Sequence, residues 1–175
     1  MFSDPEKIVD QCGIQPGMEI ADFGAGSGHF SISASKHLMS TGRVYAIDIQ
    51  KDLLTKLKNS AAKNGAYNIE VIWGDIDKEN GTKLRSSSID LIFFNNILFQ
   101  LESKDACIKE IKRILKPAGR VCVVDWEDSF GGIGPQPQFV ITKESAVSMF
   151  EKAGFHKERE LSAGSHHYGL IFKKL

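Results

Sequence analysis

The stretch EIADFGAGSGHF, residues 19–30, decides how the rest of the chain is read. Three apolar residues, Ile20, Ala21 and Phe23, make a short strand. Alternate glycines follow at Gly24, Gly26 and Gly28, and a helical pattern begins behind them. Glycine tolerates positive φ and puts no side chain between the backbone and a ligand. A strand-to-helix turn also aims the free N–H groups of the helix start outward. The stretch is built to hold a polar ligand group, anionic by preference, against bare backbone.

Spacing narrows the ligand. A dinucleotide fingerprint requires G-x-G-x-x-G. Counted from Gly24, its third glycine would fall on His29, and counted from Gly26, on Ser31. That argues against a nucleotide-binding oxidoreductase. No Gly-Lys-Ser/Thr follows, so a phosphate loop is also excluded. What stands is Asp22-x-Gly24-x-Gly26-x-Gly28, which turn chemistry alone would also tolerate.

Bulk properties exclude other classes. At 175 residues the chain reads as a single domain, 1–175, with a full core. Its 22 basic and 22 acidic side chains cancel, without the basic excess of a protein that grips a phosphate backbone. No apolar run approaches the roughly 20 residues of a membrane span, and the first residues carry no signal-peptide pattern. Cys12, Cys107 and Cys122 are widely spaced and read as reduced thiols rather than a disulfide frame or zinc site. A cytoplasmic protein without a metal is expected.

Along the chain, strand and helix patterns alternate. Asp4-Pro5-Glu6 opens a first helix. Strands are expected at 18–23, 43–49, 69–73, 89–94, 120–126, around 155–161, and at 166–173. Helices are expected at about 27–39, 51–64, 101–115 and 142–153, with Lys116-Pro117-Ala118-Gly119 a sharp turn before the fifth strand. The near-continuous apolar strands suit a parallel sheet covered on both faces. The last two strands are joined by too few residues for a crossover and must pair antiparallel. Residues 77–88 read as a short helix or loop. Residues 128–138 are the longest irregular stretch, of a kind that often carries function.

In this order the elements resemble the class I S-adenosylmethionine-dependent methyltransferases. Four stretches are similar to that family's motifs: Asp22 to Gly28, Asp48 after the second strand, Gly74-Asp75-Ile76 after the third, and Asn95 after the fourth. Leu115 to Arg120 resembles the family's turn before its fifth strand. The closest likeness is to the ubiquinone/menaquinone-biosynthesis methylases, through Asp125-Trp126, Gly134-Pro135 and His166-His167-Tyr168. The resemblance implies an α/β Rossmann-like doubly wound sheet of seven strands in three α/β/α layers. Its order would be 3-2-1-4-5-7-6, with strand 7 antiparallel.

It also implies S-adenosylmethionine as cofactor and S-adenosylhomocysteine as product. Asp48, about twenty residues beyond the glycine turn, would accept hydrogen bonds from the ribose hydroxyls; its alternative is a helix cap before Lys51. Asp75 would receive the adenine amino group, with the Ile76 N–H on a ring nitrogen; its alternative is a turn residue after Gly74. Ile49 and Trp73 would wall the base. The backbone of Gly24, Ala25 and Gly26 would lie beside the methionine portion, and the Asn95 carbonyl region would take its ammonium. Asp22 would organise the loop, and Gly28 is expected among the cofactor-binding residues with it.

The acceptor side is read more coarsely. Asn95-Asn96-Ile97-Leu98 departs from the Asn/Asp-Pro-Pro-Tyr/Phe motif of methylases that act on amide or adenine nitrogen. Asp125, at the strand's carboxyl edge, is the candidate base, and His167 the second catalytic candidate. Strand alternation sends His166 and His167 to opposite faces, so at most one reaches the cleft. The acceptor cleft would be framed by Asn95 to Phe99, Asp125-Trp126, the 128–138 loop and the helix near Phe2. A small-molecule acceptor is expected; a protein acceptor stays open, RNA is disfavoured by the neutral charge, and a homodimer would be compatible with the open cleft. The competing function is a non-catalytic S-adenosylmethionine-binding subunit that assists a partner.

Overall fold

A computed structural model describes residues 3–175. Helix α1 (Pro5–Asp10) starts where Asp4 accepts the Glu6 N–H at 3.1 Å. Strand β1 (Glu19–Phe23) then runs through the glycine turn into α2 (His29–His37). The alternation continues with β2 (Arg43–Asp48), α3 (Lys51–Lys63), β3 (Ile69–Trp73), β4 (Ile89–Asn95), α4 (Lys104–Ile114), β5 (Leu115–Trp126), α5 (Lys143–Lys152), β6 (Phe155–Leu161) and β7 (His167–Lys174). Helix α5 is capped by the Thr142 hydroxyl oxygen, which accepts the Ser145 N–H at 3.2 Å.

The seven strands form one sheet in the order β3-β2-β1-β4-β5-β7-β6. The pairs among β1 to β5 are parallel. Strand β7 is antiparallel to both β5 and β6, as the short β6–β7 connection demands. The fold expectation holds, with local differences. Helix α4 is shorter than expected: it begins at Lys104, after an irregular 101–103, and ends at Ile114, where β5 takes over at Leu115. The expected sharp turn at 116–119 is absorbed into β5 as an irregularity, where the partner register jumps between Ile89 and Leu91 and Ala118 takes φ +60°. Residues 77–88 contain no helix.

Alternation along the strands divides the core in two. Ile20, Val44, Leu91, Phe93, Cys122, Val124 and Ile171 pack with α1 and α2. Ala21, Phe23, Ile92, Phe94, Val121, Val123, Leu170 and Phe172 pack with α4 and α5. Burial on both faces keeps the strands apolar throughout. Polar residues therefore gather at the carboxyl edge of the sheet, where an open α/β sheet binds its ligands.

Candidate functional site

The carboxyl ends of β1, β2, β3 and β4 border a cleft of about 400 Å³. Gly24, Gly26, Asp48, Ile49, Gly74, Asp75, Ile76 and Asn95 all line it. A second trough of about 460 Å³ lies beside it, lined by Asp22, Ala25, Ser27, His29 and Phe30 among others. The two share Gly24, Gly26, Asn95 and Asn96, so they form one depression bent around the glycine turn. Apart from Trp73, the one predicted cofactor residue that lines neither is Gly28. It takes φ +83°, and a Cβ there would run into the Leu57 side chain, so this glycine serves the approach of α3 to the loop. A wider depression of about 620 Å³, bordered by Met39 and Tyr67, holds none of these residues.

Asp48 differs from its expected setting. The sequence places it at an exposed strand end, yet it is buried, with 7% of its surface accessible. One carboxylate oxygen accepts the Gly26 N–H at 2.9 Å and the other the Gln50 N–H at 2.8 Å. The residue thus joins the glycine loop to the start of α3 while still facing the cleft. Each oxygen keeps a lone-pair direction for a further donor. The ribose and helix-cap roles, weighed as alternatives, are compatible on one side chain.

Asp75 is more open. Its carboxylate pairs with Lys78 at 2.9 Å and accepts the Asp77 N–H at 3.1 Å. The Lys78 hydrogen bond holds its pKa below the ordinary carboxylate value. Ile49 is exposed and lines the cleft, as expected of an apolar wall. Trp73 does not line this cleft. Its indole N–H donates to the Ile49 carbonyl at 3.0 Å, and its ring carries the Lys51 ammonium 4.0 Å from the centroid. Trp73 braces Ile49 from outside.

Asp22 sits at the floor of the second trough and is buried. Burial raises its pKa to about 7 against the opposing hydrogen bond from the Ser31 hydroxyl, 2.6 Å away. Asn95 is the outlier. It is 9% exposed, and both its side-chain oxygen and nitrogen are buried without a hydrogen-bond partner among the described residues. A buried amide left unpaired in this way costs free energy unless something else pairs with it. It stands on the shared wall of the two troughs, beside backbone kept bare by Gly24 and Gly26.

Asp125, the candidate base, sits apart from both troughs. Its side chain is 1% exposed and turns to the α4/α5 side of the sheet, the side of Val121 and Val123. One oxygen accepts the Leu98 N–H at 2.9 Å and the other the Trp126 N–H at 2.8 Å. Burial raises its pKa to about 6. It pins the 3₁₀ turn after β4 to the end of β5 and lines neither trough. His167 is also buried, its ring 4.2 Å from that of Trp126, and neither ring nitrogen has a partner among the described residues. His166 leans on the 128–138 loop instead, stacked on Phe130 at 4.0 Å and 3.0 Å from the Asp128 carboxylate. The helix near Phe2, expected to frame the cleft, begins at Pro5; Phe2 itself lies outside the described residues.

Residues 14–157 match the family described as a methyltransferase domain. The chain belongs to this methyltransferase family. S-adenosylmethionine is the cofactor that membership carries, and the residues present fit it: an acid beside the glycine turn, a second acid after β3 and an unpaired amide on the wall between the troughs. A solved structure of an S-adenosylmethionine-dependent methyltransferase from Aquifex aeolicus is 28% identical, with a TM-score of 0.89. It covers 99% of this chain and 91% of its own. Among curated relatives, a ubiquinone/menaquinone biosynthesis C-methyltransferase of Laribacter hongkongensis is 28% identical over 127 residues, 73% of this chain and 50% of the relative. An arsenite methyltransferase of Halobacterium salinarum is 26% identical over 110 residues, 63% of this chain and 27% of the relative. The methyltransferase domain thus spans half or less of the length of these curated relatives. No helix among its described residues is long and apolar enough to cross a membrane.

Sequence reasoning missed Gln50, Leu53, Asp77, Gln100 and Leu101 as cleft residues, while Ile97 falls within the Asn95 to Phe99 frame expected for the acceptor side. Leu101 falls inside the helix expected at 101–115, which hides its place on the cleft wall.

Proposed function

We propose that this chain transfers a methyl group from S-adenosylmethionine to a small-molecule acceptor. The observation that carries the proposal is the unpaired, buried amide of Asn95, set on the common wall of a trough holding Asp48 and Asp75 and a trough holding Asp22. Bound there, the cofactor would supply a methyl group activated on a sulfonium. Asp48 would hold the ribose hydroxyls, pre-aimed by its hydrogen bonds to Gly26 and Gln50. Asp75 would take the adenine amino group while Lys78 keeps it ionised, and Ile49 with Leu101 would give the base apolar surface. The bare backbone of Gly24, Ala25 and Gly26 would flank the methionine portion. Positioning supplies much of the acceleration in such a displacement, and exclusion of water supports it.

A small acceptor is supported by the two relatives' names, arsenite methyltransferase and ubiquinone/menaquinone biosynthesis C-methyltransferase, both of which specify small molecules. The test is calorimetry with S-adenosylhomocysteine, followed by transfer of labelled methyl from S-adenosylmethionine to a panel of small acceptors and to protein. Binding with labelling of a small acceptor is expected. Labelling of protein alone would overturn the small-acceptor reading, and an absence of binding would overturn the site.

A further inference from the structure

Strand alternation sorts the polar side chains at the carboxyl edge onto two faces. Asn95 pairs in register with Val124, and Trp126 pairs with His167. Val124 faces α1 and α2, so Asn95, Trp126 and His167 project from that same face. Asp125 and its register partner Tyr168 project from the other. The row Asn95–Trp126–His167 starts at the wall of the two troughs and runs toward the 128–138 loop.

Both ends of the row are polar and unsatisfied. Asn95 and His167 are each more than nine-tenths buried, and neither finds a hydrogen-bond partner for either of its side-chain polar atoms among the described residues. Buried polar groups are ordinarily paired, so two unpaired ones on one face point to a ligand that pairs with them. Between them lies the Trp126 indole, covered by the loop at Gly134. That glycine takes φ +81°, and a Cβ there would approach the indole to 2.6 Å, so only glycine lets the loop lie flat on the ring. Gly131 and Gly132, also at positive φ, give the same loop further freedom to lift.

We propose that this row is the acceptor site, with Trp126 as its floor and His167 as the residue that positions the acceptor's far polar group. The inference rests on the methyltransferase reading above. It also specifies the class of acceptor: an uncharged molecule with a flat apolar body and a hydroxyl or comparable hydrogen-bonding group. Burial favours the neutral imidazole, which has one donor and one acceptor nitrogen and so matches a neutral hydroxyl. The charged groups nearest His167 are His166 and Asp128, and they are engaged with each other. The carboxylate that would suit a cationic acceptor, Asp125, faces the opposite side and is held by two backbone N–H groups. His167 is thereby a positioning residue, and Asp125 leaves the chemistry.

The test uses the full chain saturated with S-adenosylhomocysteine in a Trp73→Phe background, where Trp126 is the remaining tryptophan. Catechol is the neutral probe and phenyltrimethylammonium the cationic one. Saturable quenching of Trp126 fluorescence by catechol is expected, with none by the cation. His167→Ala should weaken catechol by about tenfold, the scale of one hydrogen bond, while S-adenosylhomocysteine affinity by calorimetry stays unchanged. His167→Gln, which keeps a donor and an acceptor, should restore part of the loss and covers the case in which the alanine variant fails to fold. Three results would each overturn the proposal: no quenching by catechol, equal catechol affinity in a folded His167 variant, or preference for the cation. Failure of the methyltransferase reading would register separately, as loss of S-adenosylhomocysteine binding by the unmutated chain.

Discussion

Replacing Asp48 by alanine should both weaken cofactor binding and loosen the glycine turn. In the structure the carboxylate accepts the Gly26 N–H at 2.9 Å and the Gln50 N–H at 2.8 Å. Hydrogen bonds to a charged group contribute about 1.5–3 kcal/mol each. Gln50 is exposed and Gly26 half-buried, so water recovers much of what the two amides lose. The expected loss of stability is therefore nearer that of one bond than two, about 1.5–3 kcal/mol. Affinity should fall by a similar free energy, because the ribose loses its acceptor and the loop beside it loses its anchor. That corresponds to roughly tenfold to a hundredfold in Kd. Urea unfolding followed by circular dichroism gives the first quantity, and calorimetry with S-adenosylhomocysteine gives the second. A folded variant with unchanged affinity would remove Asp48 from the site. A variant with lower affinity and unchanged stability would refute the structural half, since both backbone donors would then be indifferent to the carboxylate.

Other outcomes follow from the same structure. S-adenosylhomocysteine should bind the unmutated chain and NAD should not; tight NAD binding in calorimetry would contradict the reading of the glycine spacing. Glu110→Gln should destabilise by about 1–3 kcal/mol in urea, because it removes the charge facing Arg113, 2.8 Å away, and turns an amide donor toward groups that are themselves donors. Glu110 also anchors the Asn80 and Thr82 N–H groups, so the 77–85 segment should exchange its amide hydrogens faster. Stability should fall as pH rises from about 5 to 8: Asp22 and Asp125 have native pKa values raised to about 7 and about 6, so the folded state binds more protons than the unfolded across that window. Asp22→Asn should flatten that slope; stability that instead rises over the window would refute the burial argument. Asp125→Asn should cost about 1–3 kcal/mol by presenting an amide donor to a backbone N–H, and leave acceptor binding intact.

The fold was legible because its signals are local and repeated. Gly24-Ala25-Gly26, Asn64-Gly65 and Asp4-Pro5-Glu6 each mark a boundary through backbone chemistry that tertiary packing does not override. The length of the last connection alone dictated the antiparallel β7. Helix α4 was overestimated at its start because Leu101 carries apolar surface for the cleft rather than for the helix, and the apolar period cannot tell the two apart. Asp48 and Asp75 were legible as cleft residues from their place after strands, but the Gly26 hydrogen bond was not, since it joins residues 22 apart in sequence.

Asp125 shows where such reading stops. Alternation states that Asp125 and Trp126 face opposite ways, and His167 and Tyr168 likewise. It does not state which face carries the site. In an amphipathic strand the polar face would decide, but β5 reads Val121-Cys122-Val123-Val124, equally apolar on both sides because helices cover both. The pattern that identifies a parallel sheet therefore erases the information that orients its ends. Orientation enters only through register: Asn95 against Val124 ties the end of β5 to the glycine turn, and Trp126 against His167 carries it to β7. An acid at a strand's carboxyl edge is thus as suited to closing the next turn as to facing a substrate. Here the Asp125 carboxylate closes the turn onto the Leu98 and Trp126 N–H groups, and on the proposal above the acceptor face is that of Asn95, Trp126 and His167.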